Sequence, residues 1–289
     1  MTDPTHQMPP TRSHSLPDSI ETFLAIAVGN TRTRVGVLQG SECVKAQSIS
    51  TTDHGAVLSF LAELVAEFEF ASTEPVILMS TVEQKAADSL EEKLRNRFGW
   101  ACYRFGRDLD IPIRHTLTES GEKTVGQDRL LCAIGAFDVA KQACVVVDMG
   151  TSITIDFVDG EGVFHGGAIM PGVSMMLDSL HEHTASLPEL KSKKLDPKSN
   201  EPAKQTDEAM VLGVNAAARG AIRFLAERYA QFYEGYPQII ATGGDIGLLE
   251  DDDLIEAFVP ELQLHGIRIA CKMILAGDGD EDEQSIGED

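Results

Sequence analysis

The stretch that decides the fold is residues 145–156, which read Val145-Val146-Val147-Asp148-Met149-Gly150-Thr151-Ser152-Ile153-Thr154-Ile155-Asp156. An apolar strand, a tight Gly-Thr turn and a second strand of alternating polarity are typical of a β-hairpin. Residues 23–35, Phe-Leu-Ala-Ile-Ala-Val-Gly-Asn-Thr-Arg-Thr-Arg-Val, repeat this pattern, with Ala27 in the place of Asp148 and Gly29 in the place of Gly150. Such a turn presents backbone N–H groups and hydroxyls to a phosphate. The repeat therefore predicts two lobes of like construction with a nucleotide between them.

Composition and charge exclude several classes of protein. The 289 residues are enough for one large or two medium domains. A formal net charge of -22 argues against a nucleic acid or an anionic membrane as partner. The five cysteines are odd in number and lack Cys-x-x-Cys spacing, which predicts reduced thiols. Without a signal-peptide pattern or an apolar run of the ~18 residues that span a bilayer, we expect a cytoplasmic protein.

Periodicity divides the chain into a disordered tail (1–20), an N-terminal α/β lobe (21–141), a C-terminal α/β lobe (142–275) and an acidic disordered tail (276–289). Besides the hairpins, we expect strands over 43–50, 75–80, 101–105, 162–164 and 238–242. We expect helices over 56–70, 82–98, 126–141, 173–183, 207–232, 266–275 and from 246. Gly213 and Gly220 predict close packing of the 207–232 helix. The cleft between the lobes is the expected ligand site.

Further motifs follow the hairpins, and none is a P-loop. In chain order the set is Gly29-Asn30-Thr31, Gly126-Gln127-Asp128-Arg129, Asp148-Met149-Gly150-Thr151, Gly166-Gly167-Ala168-Ile169-Met170-Pro171-Gly172, Thr184-Ala185-Ser186-Leu187-Pro188 and Thr242-Gly243-Gly244. Together they closely resemble type III pantothenate kinases, a family that also contains the Bvg accessory factor and belongs to the acetate kinase, sugar kinase, Hsp70 and actin superfamily. The resemblance covers residues 23–275. It implies an α/β, duplicated two-lobe ribonuclease H-like (actin-like ATPase) fold with a nucleotide cleft between the lobes.

The resemblance also implies an activity, which is ATP-dependent phosphorylation of pantothenate to 4′-phosphopantothenate, the first step of coenzyme A biosynthesis. It implies ATP with Mg²⁺, a monovalent cation (K⁺ or NH4⁺), and a homodimer formed through residues 173–183 and the helix that begins near Thr206. The alternative is a catalytically weakened family member that acts as a ligand-binding or regulatory protein.

The resemblance assigns the site residue by residue. Asp128 is the catalytic base and Asp148 is the ligand of the monovalent cation. Pantothenate is bound by Gly126, Gln127, Asp128, Arg129 and Thr206. ATP is bound by Ala27, Val28, Gly29, Asn30, Thr31, Arg32, Thr33, Arg34 and Thr151, and Gly243 and Gly244 lie near the nucleotide.

The residues themselves leave alternatives open. Asp128 is either a helix N-terminal carboxylate or a base that Arg129 keeps ionised while it grips a substrate carboxylate. Asp148 is either a cation ligand or a strand-end acceptor of local N–H groups. Thr206 reads most simply as an N-cap, and Thr184 is the runner-up for contact with pantothenate. A metal site at His165, His181 and His183 is disfavoured, and Gly243-Gly244 also fits a plain strand-to-helix turn.

Two features depart from the family pattern. The first hairpin of the family has an Asp where this chain has Ala27, which cannot ligate Mg²⁺, so the metal must be held through water or another acid. On this reading Ala27→Asp raises turnover. The family often has a Tyr shortly before the Gly-x-Asp-Arg motif, where this chain reads Glu119-Ser120-Gly121-Glu122. Ala27 favours the regulatory alternative, whereas Asp128, Arg129, Asp148 and Thr151 favour the working kinase.

Overall fold

The structure is a computed structural model that describes residues 16, 20–71, 74–194 and 201–284, with side chains to residue 276 in the last helix. Most of the tail expected over 1–20, and the end of the acidic tail after 284, lie outside these residues.

Two five-stranded sheets of identical strand order form the two lobes. The first contains β1 (Thr22–Val28), β2 (Arg32–Gln39), β3 (Glu42–Ser50), β4 (Ile77–Thr81) and β5 (Tyr103–Arg104), in the order β3-β2-β1-β4-β5. The second contains β6 (Cys144–Met149), β7 (Ser152–Val158), β8 (Phe164–Pro171), β9 (Gln238–Thr242) and β10 (Ala257–Phe258), in the order β8-β7-β6-β9-β10. In both sheets the first three strands pair antiparallel and the others parallel. The duplicated two-lobe α/β fold class is thereby confirmed.

The helices form three layers around the two sheets. They are α1 (His54–Glu67), α2 (Gln84–Phe98), α3 (Glu119–Glu122), α4 (Gln127–Ala140), α5 (Val173–Glu182), α6 (Thr206–Tyr233) and α7 (Leu262–Gln284), with a 3-10 turn at Ile246–Leu249. The alternation of β6 shows how the layers arise, because Val145 and Val147 pack towards α5 and α6 whereas Cys144 and Val146 pack towards α4 and α7. Helices α1 and α2 cover the first sheet. Helices α4 and α7 therefore lie between the two sheets.

Close contact between α4 and α7 depends on two glycines. A Cβ at Gly266 would lie 1.9 Å from the carbonyl oxygen of Leu131, and one at Gly135 would lie 2.7 Å from that of Leu262. The expected close packing at Gly213 and Gly220 is wrong within this chain, because an added Cβ at either position meets nothing within 4 Å. The helix-helix contact that fixes the lobes together is thus the one between α4 and α7.

Several helix and strand boundaries differ from those predicted from the sequence. Strand β8 runs through the glycines that follow Phe164, since pairing with β7 outweighs their low strand propensity. The two-residue strand β10 is too short for a periodic signal. Helix α7 is helical to Gln284 and so differs from the disorder expected after residue 275, because extending a formed helix costs less than nucleating one. Helix α6 is long and apolar enough to cross a membrane by length and composition alone, yet its Met210 and Val214 are buried in the second lobe.

Candidate active site

The turns of the two hairpins meet across the lobes. The hydroxyl oxygens of Thr31 and Thr151 lie 2.9 Å apart, and both residues are exposed. In each turn the glycine N–H donates to a backbone carbonyl, but the first turn is one residue longer. The N–H of Gly29 donates to the carbonyl of Arg32 at 3.0 Å, and that of Gly150 donates to the carbonyl of Ser152 at 3.2 Å. The two phosphate-binding turns that the repeat predicts therefore face each other at one place in the molecule.

Asp128 lies in the first turn of α4, in the layer between the sheets. Its carboxylate is partly buried and accepts the backbone N–H of Arg129 at 2.8 Å. Burial raises the pKa of Asp128, and the Arg129 N–H and the Arg129 charge oppose this rise. A carboxylate with a raised pKa at a helix N-terminus can orient a hydroxyl and accept its proton.

Arg129 is held by a carboxylate that the sequence analysis did not assign. Its Nε donates to both carboxylate oxygens of Asp156 at 3.1 Å, and Nη2 donates to the same group. The Asp156 side chain is 2% exposed, and the Arg129 guanidinium lies 5.7 Å from the centre of the Phe164 ring. Arg129 is thus fixed by Asp156 and not by Asp128. The sequence feature that could have pointed to Asp156 is the alternation of β7, in which Thr154 and Asp156 form the polar face of an otherwise apolar strand.

Other side chains expected to bind pantothenate either form hydrogen bonds within the protein or are exposed to solvent. The Gln127 amide accepts from the N–H of Thr81 at 3.0 Å and donates to the carbonyl of Phe105 at 2.7 Å, so it ties α4 to the ends of β4 and β5. The N-cap reading of Thr206 is wrong, because Gln205 holds that position and exposed Thr206 is the first helical residue. The Thr184 hydroxyl donates to the carbonyl of Leu180 at 2.7 Å.

Asp148 lies at the end of β6, directly against the turn after β9. Gly243 has φ +103, and a Cβ there would lie 2.5 Å from Oδ1 of Asp148. Burial raises the pKa of Asp148 to about 6; the positive charge of Arg34 opposes this rise, and the charges of Asp128 and Asp156 add to it. Asp148 therefore lies within electrostatic range of Arg34, Asp128 and Asp156.

The surroundings of Asp148 fit a monovalent cation. Among the residues that the structure describes, no hydrogen-bond donor or ion-pair partner contacts its carboxylate. Within that same part of the chain no group of three or more His, Cys, Asp and Glu side chains is arranged to hold a metal ion. A cation there would be held by Asp148 together with backbone or ligand oxygens, which suits a hard ion of low charge.

The first hairpin offers only part of the expected ATP contacts. Ala27, Val28 and Thr33 are almost fully buried, so their side chains cannot contact a nucleotide. Exposed side chains come from Asn30, Thr31 and Arg32 in the turn.

His165 and His181, which were considered as metal ligands, contact different partners. His181 Nδ1 contacts the carbonyl of Leu187 at 2.7 Å, and His165 Nε2 contacts Asp159 at 2.7 Å.

A cavity of about 400 Å³ is lined by Arg219, Gly220, Arg223, Asp251, Asp252 and Asp253, none of which is a predicted site residue. Neither these histidine contacts nor this cavity includes residues of the hairpin turns or of the start of α4.

Comparisons with known proteins agree on one family. A family model described as type III pantothenate kinase matches residues 23–228. A type III pantothenate kinase from Rhodopirellula baltica is 36% identical over 254 residues, covering 79% of this chain and 89% of the relative. One from Syntrophotalea carbinolica is 30% identical over 259 residues, covering 86% and 97%. A solved structure described as a conserved Baf family transcriptional activator from Campylobacter jejuni has a TM-score of 0.55 at 19% identity, covering 87% of this chain and 98% of that one, and shows the shared fold.

Proposed function

Since the chain belongs to the type III pantothenate kinase family, we propose that it transfers the terminal phosphoryl group of ATP to pantothenate, giving ADP and 4′-phosphopantothenate. The observation that carries the proposal is the 2.9 Å approach of the Thr31 and Thr151 hydroxyls, which supports a meeting of the two predicted phosphate-binding turns at one place. Ala27 favoured a weakened, regulatory member of the family. The relatives named as kinases give no support to that alternative.

The proposed chemistry is direct transfer to a primary alcohol. The Asp128 carboxylate orients the pantothenate hydroxyl and accepts its proton while the hydroxyl oxygen forms a bond to the γ-phosphorus. The bond between the γ-phosphorus and the β–γ bridging oxygen breaks, and ADP leaves with that oxygen. The raised pKa of Asp128 suits this role, because a buried carboxylate accepts a proton more readily than an exposed one.

The neighbouring groups position the two substrates. The N–H groups and hydroxyls of the turns at Thr31 and Thr151 hold the polyphosphate. Arg129, oriented by Asp156, presents its remaining N–H groups to the carboxylate of pantothenate. Asp148 would hold a K⁺ or NH4⁺ ion, which together with Mg²⁺ bound to ATP would supply positive charge against the phosphates.

We also propose a cytoplasmic homodimer that uses one face of α5 and α6. Met175, Leu212 and Phe224 are 42%, 36% and 62% exposed on these helices. Gly213 and Gly220 leave the same part of α6 open to close approach. Exposed apolar side chains on these two helices favour a surface that a second protein covers.

The test is a kinase assay with purified protein, ATP, Mg²⁺, K⁺ and pantothenate, in which the product is identified by mass spectrometry. Asp128→Asn is expected to lower kcat about 10²–10⁴-fold, the size of a general-base contribution, with little change in nucleotide affinity. Asp110→Asn, at an exposed carboxylate, is the matched control. Full activity of the Asp128 variant would refute its role, and absence of product from the unaltered protein would refute the proposed reaction.

A further inference from the structure

The chain between β5 and α4 crosses from the first sheet to the second before it reaches Asp128. This crossing segment (residues 105–126) pairs with β8, the edge strand of the second sheet, at Phe164. The N–H of Phe164 donates to the carbonyl of Arg114 at 2.9 Å, and the N–H of Thr116 donates to the carbonyl of Phe164 at 3.0 Å. The pairing covers part of the otherwise free edge of β8 and joins the two lobes.

A chain of side-chain hydrogen bonds adds to this pairing. The Thr116 hydroxyl lies 3.3 Å from Nδ1 of His165, and Nε2 of His165 lies 2.7 Å from Oδ2 of Asp159. The other oxygen of Asp159 accepts the N–H groups of Glu161 and Val163 at 2.9 and 3.0 Å. Burial raises the pKa of Asp159, but its hydrogen bonds outweigh burial and lower the pKa, so this carboxyl is ionised at neutral pH.

The partners of the His165 ring assign its protons and fix its position. An ionised carboxylate only accepts hydrogen bonds, so Nε2 donates to Asp159, and Nδ1 of the neutral ring accepts from the Thr116 hydroxyl. The ring centres of Phe157 and Phe232 lie 5.5 and 5.6 Å from that of His165. His165 is thus held by a carboxylate and by two aromatic rings, and it holds the crossing segment through Thr116.

The crossing segment also covers a residue that contacts Arg129. Phe164 is fully buried, and the centre of its ring lies 5.7 Å from the guanidinium carbon of Arg129. Leu117 and Val125 of the crossing segment pack in the same apolar cluster as Phe164. Cation–π contacts and ion pairs are stronger where water is excluded. The docked segment therefore strengthens the contacts that Arg129 makes with Phe164 and Asp156.

We propose that His165 is a positioning residue of the pantothenate site. Its contact with Thr116 fixes the crossing segment on β8, and the fixed segment keeps Arg129 in the orientation that binds the carboxylate of pantothenate. The inference rests on the proposed function, because it takes pantothenate as the ligand of Arg129. His165 acts through Thr116 and Phe164, so its loss weakens pantothenate binding and leaves the phosphoryl-transfer step unchanged.

The test measures steady-state kinetics of the full chain with pantothenate and ATP varied separately. Thr116→Val removes the hydroxyl but keeps the branched side chain and the backbone pairing. It is expected to raise KM for pantothenate about 3–10-fold, the effect of one neutral hydrogen bond, with kcat and KM for ATP unchanged. Thr116→Ser keeps the hydroxyl and should retain the unaltered KM. Thr124→Val is the matched control, because it loses a hydroxyl bond to Ser120 within the crossing segment and none to β8.

A second variant tests His165 itself. His165→Phe keeps an aromatic ring between Phe157 and Phe232 and removes both ring nitrogens. It should raise KM for pantothenate, and the double variant with Thr116→Val should have no higher KM than the more affected single variant, because both changes break one contact. Multiplied effects in the double variant would overturn the inference.

Amide hydrogen exchange without substrates, followed by mass spectrometry, tests the docking of the crossing segment independently of activity. Faster exchange at residues 114–117 in Thr116→Val supports the inference, and unchanged exchange overturns it.

The kinetic outcomes separate this inference from the proposed function. If product forms and Thr116→Val has an unaltered KM for pantothenate, the inference fails and the proposed function stands. A higher KM for both substrates together with a lower kcat would indicate a merely structural role and would also overturn the inference. If the unaltered protein forms no product, the proposed function fails, and the inference fails with it.

Discussion

Replacing Asp148 by Asn should stabilise the protein while damaging its activity. The pKa of Asp148 is about 6 in the folded protein against an ordinary value of 3.8. At about 1.4 kcal/mol for each pKa unit, this difference would cost about 3 kcal/mol at neutral pH. Because the carboxylate is partly exposed, solvent reduces the cost, and we expect Asp148→Asn to gain about 1–2 kcal/mol. For a chain of this size this is a rise in Tm of about 2–8 °C.

The sign of the effect depends on pH. Below 3.8 the carboxyl is protonated in both folded and unfolded protein, so it costs nothing. As pH rises from 3.8 to about 6, only the unfolded chain ionises, and the folded state loses stability until the cost is complete above pH 6. The gain from Asp148→Asn should therefore be full at pH 8 and about a third as large at pH 4.5.

The assay is thermal unfolding at pH 8 and pH 4.5 in a potassium-free buffer, followed by circular dichroism. Asp156→Asn is the matched control, and it should destabilise the protein by about 3–5 kcal/mol because Arg129 loses its buried partner. Adding K⁺ should raise the Tm of the unaltered protein more than that of Asp148→Asn. A lower Tm for Asp148→Asn at pH 8, or a gain that does not depend on pH, would refute the reasoning.

Two further predictions concern packing and assembly. Gly266→Ala should destabilise the protein by about 1–3 kcal/mol, because its Cβ would overlap the carbonyl of Leu131. The measurement is thermal unfolding, with Gly55→Ala as the control because its added Cβ lies 3.4 Å from its nearest neighbour. An equal Tm for both variants would contradict the α4–α7 contact. Phe224→Glu should convert the proposed dimer to a monomer in light scattering. Val44→Glu, at a side chain 46% exposed on β3, should leave the proposed dimer intact, and a dimer in both cases would exclude this face of α6.

The local sequence pattern of the two hairpins was sufficient to predict that the fold is duplicated. Each hairpin has a period-2 alternation and a Gly-Thr turn that are local in sequence, so both hairpins and the duplicated two-lobe arrangement could be predicted. Gly266 and Gly135 could not be distinguished from Gly213 and Gly220 by sequence. All four lie within helical patterns, and only the position of α7 against α4 decides which pair is in contact.

The same distinction holds for the site. Residue types, their order and the family resemblance predicted roles for Asp128, Asp148, Thr31 and Thr151 without any coordinates. The pairing of Arg129 with a carboxylate 27 positions away depends on which side chains reach the same layer between the sheets. A sequence specifies local conformation through neighbouring residues, whereas charges interact through space, so only the tertiary structure decides which of them meet.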